Sequence, residues 1–119
     1  MIRKITPILA VGALLLAWQP SAVADDTGFA SIHDLGRSGS NLCMVDHEHS
    51  GSGSGKTKSR AKRAAIGNWA GFTAWEYGTD WASFRRARVK SVKCARATGG
   101  WSCDVTARPC KRLRRRAKK

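Results

Sequence analysis

Two histidines separated by a single residue are the first candidates for chemistry in this chain. His47 and His49 lie in the run Asp46-His47-Glu48-His49, with Cys43 shortly before it and His33 further upstream. On an extended segment, side chains two positions apart point to the same side, so both imidazoles can face one ion. Imidazole nitrogen is a good ligand for Cu²⁺, Ni²⁺ and Zn²⁺. The pattern therefore makes His47 and His49 candidate metal ligands, with a solvated polar loop as the alternative.

Positive charge is the strongest functional signal in the composition. The 119 residues include 22 Lys and Arg against 8 Asp and Glu, for a formal net charge of +14. Basic clusters bind polyanions by releasing counterions, with little sequence specificity. We therefore expect a non-enzymatic protein that binds anionic envelope polymers, an anionic membrane surface or extracellular nucleic acid. The predicted contact residues form two patches: Lys58, Arg60, Lys62 and Arg63, and then Arg112, Arg114, Arg115, Arg116, Lys118 and Lys119.

Enzymatic chemistry has little support in the sequence. The chain is too short for a complete Rossmann or TIM-barrel domain, and it has no Gly-x-Ser-x-Gly or His-Glu-x-x-His motif. Gly55-Lys56-Thr57 matches the end of a phosphate-binding loop, but Ser50 stands where that motif needs its first glycine. Glu76 and Asp80 are more simply explained as a carboxylate near a helix end and a helix cap than as an acid–base pair. We predict no catalytic residues and no cofactor.

The N-terminal 24 residues have the pattern of an export signal. Arg3 and Lys4 precede the apolar stretch Ile5–Trp18, and Pro20 is followed by the small-x-small sequence Ala22-Val23-Ala24. After cleavage, no remaining stretch has the roughly 20 apolar residues that a transmembrane helix needs. We therefore expect a periplasmic or secreted protein without a membrane span.

Hydrophobic spacing then predicts the elements that position these residues. Residues 56–77 have helical spacing, Gly78 is suited to end the helix, and 81–88 is predicted to form a second short helix. Apolar and polar residues alternate within 89–107 on both sides of Thr98-Gly99-Gly100, which predicts a β-hairpin. Large aromatic side chains are expected to fill the core of so small a domain: we place Trp69, Trp81 and Trp101 inside and leave Trp75 as an exposed contact.

Four cysteines in a short exported chain allow three disulfide pairings. If Arg96 pairs with Trp101 across the hairpin, Cys94 lies directly opposite Cys103, which favours a Cys94–Cys103 bridge and leaves Cys43–Cys110 as the second. The alternatives, Cys43–Cys103 with Cys94–Cys110 and Cys43–Cys94 with Cys103–Cys110, stay open. A zinc site of four cysteines is disfavoured because no pair has Cys-x-x-Cys spacing.

The predicted fold class is α+β. A small disulfide-stapled domain has a long helix and a short helix packed on a C-terminal β-hairpin, followed by a disordered basic tail. The predicted segments are a cleaved signal at 1–24, an N-terminal segment at 25–50, a flexible Gly/Ser linker at 51–55, a helix–hairpin domain at 56–110 and the tail at 111–119.

The aromatic and cysteine pattern from residue 69 to residue 110 resembles a family of small exported proteins of Gram-negative bacteria that have no assigned function. The resemblance is carried by Ala65-Ile66, Trp69, Tyr77-Gly78, Trp81, Cys94, Trp101-Ser102-Cys103 and Arg108-Pro109-Cys110, together with Cys43 and the nearby histidines. It implies a helix followed by a stapled sheet and implies no catalytic residues.

Overall fold

The computed structural model describes residues 24–114. Almost all of the predicted export signal lies outside these residues, as do Arg115, Arg116, Lys118 and Lys119 of the predicted basic arm. The elements follow in the order of a 3-10 helix (Phe29–Ile32), β1 (Leu35–Ser38), β2 (Asn41–Met44), β3 (His49–Gly55), α1 (Lys58–Tyr77), a second 3-10 helix (Thr79–Trp81), β4 (Arg88–Ala97), β5 (Gly100–Arg108) and β6 (Cys110–Arg112). The α+β class is confirmed, with one α-helix, two antiparallel three-stranded sheets and two disulfides in the described residues.

The long helix forms where its spacing predicts it. Thr57 caps its start, because the threonine hydroxyl accepts a hydrogen bond from the backbone N–H of Arg60 at 3.1 Å. Gly78 ends the helix at φ +102°, a backbone conformation that favours glycine. One buried residue recurs in each turn, giving the stripe Ala61, Ala65, Trp69, Thr73 and Tyr77.

The hairpin of β4 and β5 has the predicted register. Arg96 pairs with Trp101 and Cys94 pairs with Cys103. The structure contains the Cys94–Cys103 and Cys43–Cys110 disulfides, and no free cysteine occurs in the described residues. Trp69 and Trp81 are fully buried, Trp101 is partly buried, and Trp75 is 77% exposed.

The predicted Gly/Ser linker at 51–55 is wrong, because these residues belong to strand β3. The strand pairs with β5 along its whole length, from His49 opposite Ala107 to Gly55 opposite Trp101. The larger sheet therefore has the order β3-β5-β4, with β5 in the centre. A Ser/Gly composition is typical of linkers, but here it belongs to a strand that lies close to a helix.

Alternate glycines bring the backbones of β3 and α1 together. A Cβ on Gly51 or Gly53 would overlap backbone atoms of Ala65, and a Cβ on Gly55 would lie 2.8 Å from the amide nitrogen of Ala61. Two strand residues advance about 6.6 Å and four helix residues advance about 6.0 Å. Each second residue of β3 therefore meets each fourth residue of α1, and we call this arrangement the glycine ladder.

The smaller sheet, of order β1-β2-β6, corrects two further predictions. Lys111 and Arg112 form part of β6, opposite Leu42 and Asn41, so the first residues of the predicted disordered tail are ordered in a sheet. The short helix predicted at 81–88 is also wrong. The chain instead forms the 3-10 helix Thr79–Trp81, and Ala82 then makes a β-bridge with Cys110, which prevents a helix from continuing.

Two small cores stabilise the part of the chain that the structure describes. The larger core lies between α1 and the β3-β5-β4 sheet, around Trp69, Cys103 and Val105. The second lies beneath the N-terminal segment and contains Met44, Tyr77 and Trp81. Across residues 24–114, no helix combines the length and the apolar character that crossing a membrane would require.

Candidate functional site

The glycine ladder places His49 against the last turns of α1. His49 shares the helix-facing side of β3 with Gly51 and Gly53, and the next step of the ladder brings it to Thr73. The side chain is almost completely buried, at 3% exposure. The ring of His49 stacks on that of Tyr77, with centroids 4.9 Å apart, and Phe72 covers it at 4.7 Å.

Hydrogen bonds assign the tautomer of His49. Nδ1 of His49 lies 2.9 Å from Oγ1 of Thr73, and that hydroxyl donates its own proton to the carbonyl oxygen of Trp69 at 2.8 Å. Because the threonine proton is already used, Nδ1 of His49 must donate to Thr73. The neutral ring then carries its lone pair on Nε2.

A carboxylate lies beside that lone pair. Nε2 of His49 lies 3.0 Å from Oε2 of Glu76, but the geometry is not that of a hydrogen bond, and Nε2 has no hydrogen-bond partner among the described residues. Burial lowers the pKa of His49 to about 4, against an opposing effect of the Glu76 carboxylate. At neutral pH the ring is therefore neutral, and the lone pair of a buried ring nitrogen lies beside a carboxylate whose side chain is 33% exposed.

His47 extends the cluster toward the surface. One nitrogen of His47, one nitrogen of His49 and one oxygen of Glu76 all lie within 4.8 Å of one another. His47 is half-buried, and its ring meets that of His49 edge to face at 5.1 Å. The two histidines predicted from the sequence are thus brought together, with Glu76 as a third donor.

His33 and Tyr77 border the cluster without belonging to the three-donor group. The ring of His33 stacks on that of His47 at 4.3 Å, and Nε2 of His33 is 2.8 Å from the Tyr77 hydroxyl. Burial raises the pKa of Tyr77 to about 12, and the nearby Glu76 carboxylate acts in the same direction. Tyr77 therefore keeps its proton and can donate it to His33. Cys43 is joined to Cys110 and offers no thiolate.

Sequence reasoning missed Glu76 and Thr73 as members of this site. Glu76 follows His49 by 27 positions, and nothing in its local sequence distinguishes it from a carboxylate near a helix end. The available signal was the alternation of Gly51, Gly53 and Gly55 against the small residues Ala61 and Ala65. Gly51 packs against Trp69. Moving two residues back along β3 and four residues forward along α1 leads from that pair to His49 and Thr73.

The predicted basic residues lie elsewhere and are mostly exposed. Lys58, Arg60, Lys62 and Arg63 are exposed on the first turns of α1, where the ammonium of Lys58 lies 5.6 Å from the centre of the Trp101 ring. Arg112 and Arg114 are exposed at the C-terminal end of the described chain. None of these six side chains forms an ion pair within residues 24–114.

No family model, curated protein or solved structure matches the chain in the comparisons with known proteins. The resemblance to small exported proteins therefore stays a prediction.

Proposed function

We propose that this protein binds a divalent transition-metal ion of the Zn²⁺, Cu²⁺ or Ni²⁺ class through His47, His49 and Glu76. The observation that carries the proposal is the buried Nε2 of His49, which lies 3.0 Å from Oε2 of Glu76 and has no hydrogen-bond partner in the described chain. A buried polar atom without a partner is costly, and a carboxylate beside it adds repulsion. A cation held between the two atoms would remove both costs.

The chemistry of the donors supports a metal rather than a proton. Two imidazoles and one carboxylate are a common ligand set for zinc, and imidazole also suits copper and nickel. Nδ1 of His49 donates to Thr73 at 2.9 Å, which is the outer hydrogen bond that metal-bound histidines usually make. Ligands held at about 2.0–2.2 Å around one tetrahedral ion lie roughly 3.3–3.6 Å apart. Binding therefore requires the donors that are up to 4.8 Å apart to close in, and Nε2 of His49 and Oε2 of Glu76, now at 3.0 Å, to open slightly.

The direct test is calorimetric titration of the disulfide-bonded chain, without an affinity tag, with Zn²⁺, Cu²⁺ and Ni²⁺ in separate experiments. We expect one ion per chain and a loss of affinity of about 10-fold or more in His47→Gln, His49→Gln and Glu76→Gln. Thr73→Val should weaken binding by about 10–100-fold, as outer-shell substitutions typically do. Nitrogen-detected NMR of the metal-free protein at pH 7 should show a neutral His49 with its proton on Nδ1.

Two variants are matched controls. His33→Gln removes a neighbouring histidine that lies outside the three-donor group, and Asp104→Asn removes an exposed carboxylate on β5. Both should bind metal within about twofold of the unaltered chain. An equal loss in His33→Gln would replace the proposed ligand set, and an imidazolium at His49 in the metal-free protein at pH 7 would overturn the argument from the lone pair.

Polyanion binding is a second candidate function. It is favoured by the four exposed cations at the start of α1, which have no acidic partner within residues 24–114. The two disulfides are in keeping with an oxidising location, where envelope polymers would be the available partners. Changing Lys58, Arg60, Lys62 and Arg63 together to Gln should weaken binding to heparin or single-stranded DNA and flatten its salt dependence.

The control for this second function removes the same amount of charge from another surface. Arg37 of β1 together with Arg88, Lys90 and Lys93 of β4, all exposed and all changed to Gln, should have a smaller effect. Removal of residues 115–119 measures the contribution of the last cations. Binding that does not change between low and high salt would rule out polyanion binding of this kind.

A further inference from the structure

Three arginines converge on one groove at the edge of the smaller sheet. A cavity of about 420 Å³ is lined by Ser40, Asn41, Ser83, Arg85, Arg86 and Arg112. Its walls come from three places in the sequence: the β1–β2 turn, the segment after the second 3-10 helix, and the end of β6. Arg112 pairs with Asn41 in the sheet, and Ser83 lies next to Ala82, which bridges to Cys110.

The groove contains hydrogen-bond donors and no acid. The residues that line it carry three guanidinium groups, two hydroxyls and one amide, and no described residue with a carboxylate is among them. None of the three arginines forms an ion pair within residues 24–114. Guanidinium groups bind phosphate through paired N–H donors, which gives both energy and fixed geometry.

An adjoining cavity does contain acidic residues. That cavity, of about 390 Å³, shares Arg86 and Arg112 with the first and adds Asp25, Asp80, Leu113 and Arg114. The carboxylates of Asp25 and Asp80 therefore reduce the positive potential on one side of the shared arginines. A small anion is expected on the other side, between Ser40, Ser83 and the three guanidinium groups.

We propose that this groove, which we call the arginine groove, is a binding site for a phosphate-ester or phosphate group. The guanidinium groups of Arg86 and Arg112 would donate hydrogen bonds to the phosphate oxygens. Further donors would be Arg85 and the hydroxyls of Ser40 and Ser83. The site is independent of the metal proposal because it shares no residue with His47, His49 or Glu76. It also differs from general polyanion attraction, since it is saturable and depends on the shape of the guanidinium group.

The test is an NMR titration of the disulfide-bonded chain with inorganic phosphate and with pyrophosphate, at constant ionic strength. We expect saturable shifts of the arginine side-chain signals at Arg86 and Arg112. Arg86→Gln and Arg112→Gln should each weaken pyrophosphate binding about tenfold, since each removes charged hydrogen bonds. Arg60→Gln and Arg63→Gln, which remove equal charge from α1, should change it less than twofold.

Two further variants distinguish a site of defined geometry from non-specific attraction to a positively charged surface. Arg86→Lys keeps the charge but removes the paired donors, so it should weaken binding at the site several-fold while leaving heparin binding unchanged. Asp80→Asn removes a neighbouring carboxylate and should strengthen pyrophosphate binding about twofold. If substitution of half-buried Arg86 impairs folding, Arg112→Gln still tests the groove, because Arg112 is exposed.

The source of the phosphate is addressed with vesicles. Binding of each variant is measured to phosphatidylcholine vesicles with and without phosphatidic acid. If a lipid headgroup reaches the groove, the variants should rank by affinity for phosphatidic acid vesicles as they do for pyrophosphate. If only soluble phosphates reach it, the variants should bind these vesicles equally. Equal losses of pyrophosphate affinity in the groove variants and the α1 variants would overturn the proposal. That result would leave the metal site, and general polyanion binding, unaffected.

Discussion

Gly53 of β3 and Ala65 of α1 lie backbone against backbone, with no room for a side chain on the strand. A Cβ on Gly53 would overlap the backbone of Ala64 and Ala65. This contact holds the strand close enough to the helix for His49 to reach Thr73 and Glu76. The position of the candidate metal site is therefore set by residues that carry no functional group.

Gly53→Ala should lower the free energy of unfolding by at least about 2 kcal/mol, because the added methyl group forces the strand and helix apart. Gly67→Ala is the control: Gly67 lies on the open side of α1, where a Cβ meets nothing within 4 Å. That variant should instead stabilise by up to about 1 kcal/mol, since alanine is the better helix former. Urea denaturation of both variants checks this, and a neutral Gly53→Ala would contradict the glycine ladder.

The metal-free protein should lose stability between pH 6.5 and pH 4 because of His49. Its pKa is about 4 when folded and about 6.5 in an unfolded chain. Over that interval the unfolded chain binds more protons, so the free energy of unfolding falls as the pH falls, by on the order of 3 kcal/mol in total. Denaturation at several pH values in EDTA should show this slope in the unaltered chain. A His49→Gln variant should show a smaller slope of unfolding free energy against pH over this interval. Identical slopes in the two proteins would contradict the lowered pKa of His49.

The two disulfides should differ in what they contribute. Cys43–Cys110 joins residues 67 apart in sequence, and Cys94–Cys103 joins residues 9 apart. The loop-entropy model assigns about 4 kcal/mol to the first and about 2.6 kcal/mol to the second. Paired Cys→Ala variants, compared by denaturation under non-reducing conditions, should show the larger loss for Cys43 and Cys110. A larger loss at the hairpin would mean that local packing outweighs chain entropy.

Val89 offers a stabilising substitution. It is an exposed, β-branched residue at φ +51°, where the register between β4 and β5 shifts. Left-handed backbone costs a non-glycine residue roughly 1–2 kcal/mol, so Val89→Gly should raise stability, though by less than that because glycine loses more entropy on folding. Val92→Gly, in regular strand on the same edge, should be destabilising. A lower melting temperature in Val89→Gly would contradict the expected strain.

Local patterns predicted two elements of this fold, the helix α1 and the hairpin of β4 and β5. The alternation around Thr98-Gly99-Gly100 is sufficient to set the hairpin register, and the register then selects the disulfide pairing that the structure contains. The stripe of Ala65, Trp69, Thr73 and Tyr77 similarly predicts α1. These relations connect residues that are close in sequence.

Contacts between distant segments could not be predicted in the same way. Ser50–Gly55 has the composition of a flexible linker, and only its packing against Ala61 and Ala65 makes it a strand. Glu76 is an ordinary carboxylate near a helix end until the glycine ladder brings it to His49. Lys111 is one cation in a basic run, yet it pairs with Asp26 at 2.8 Å and that pairing lowers the pKa of Asp26.

The Cys43–Cys110 bond converts the stretch between those residues into a covalent macrocycle. His47, His49 and Glu76 all lie inside it, as do β3, α1 and the hairpin. A protease that cuts one peptide bond within the ring opens it without releasing a fragment, so the three donor side chains stay on a single molecule after the nick. Such a nicked chain would separate into pieces only after reduction.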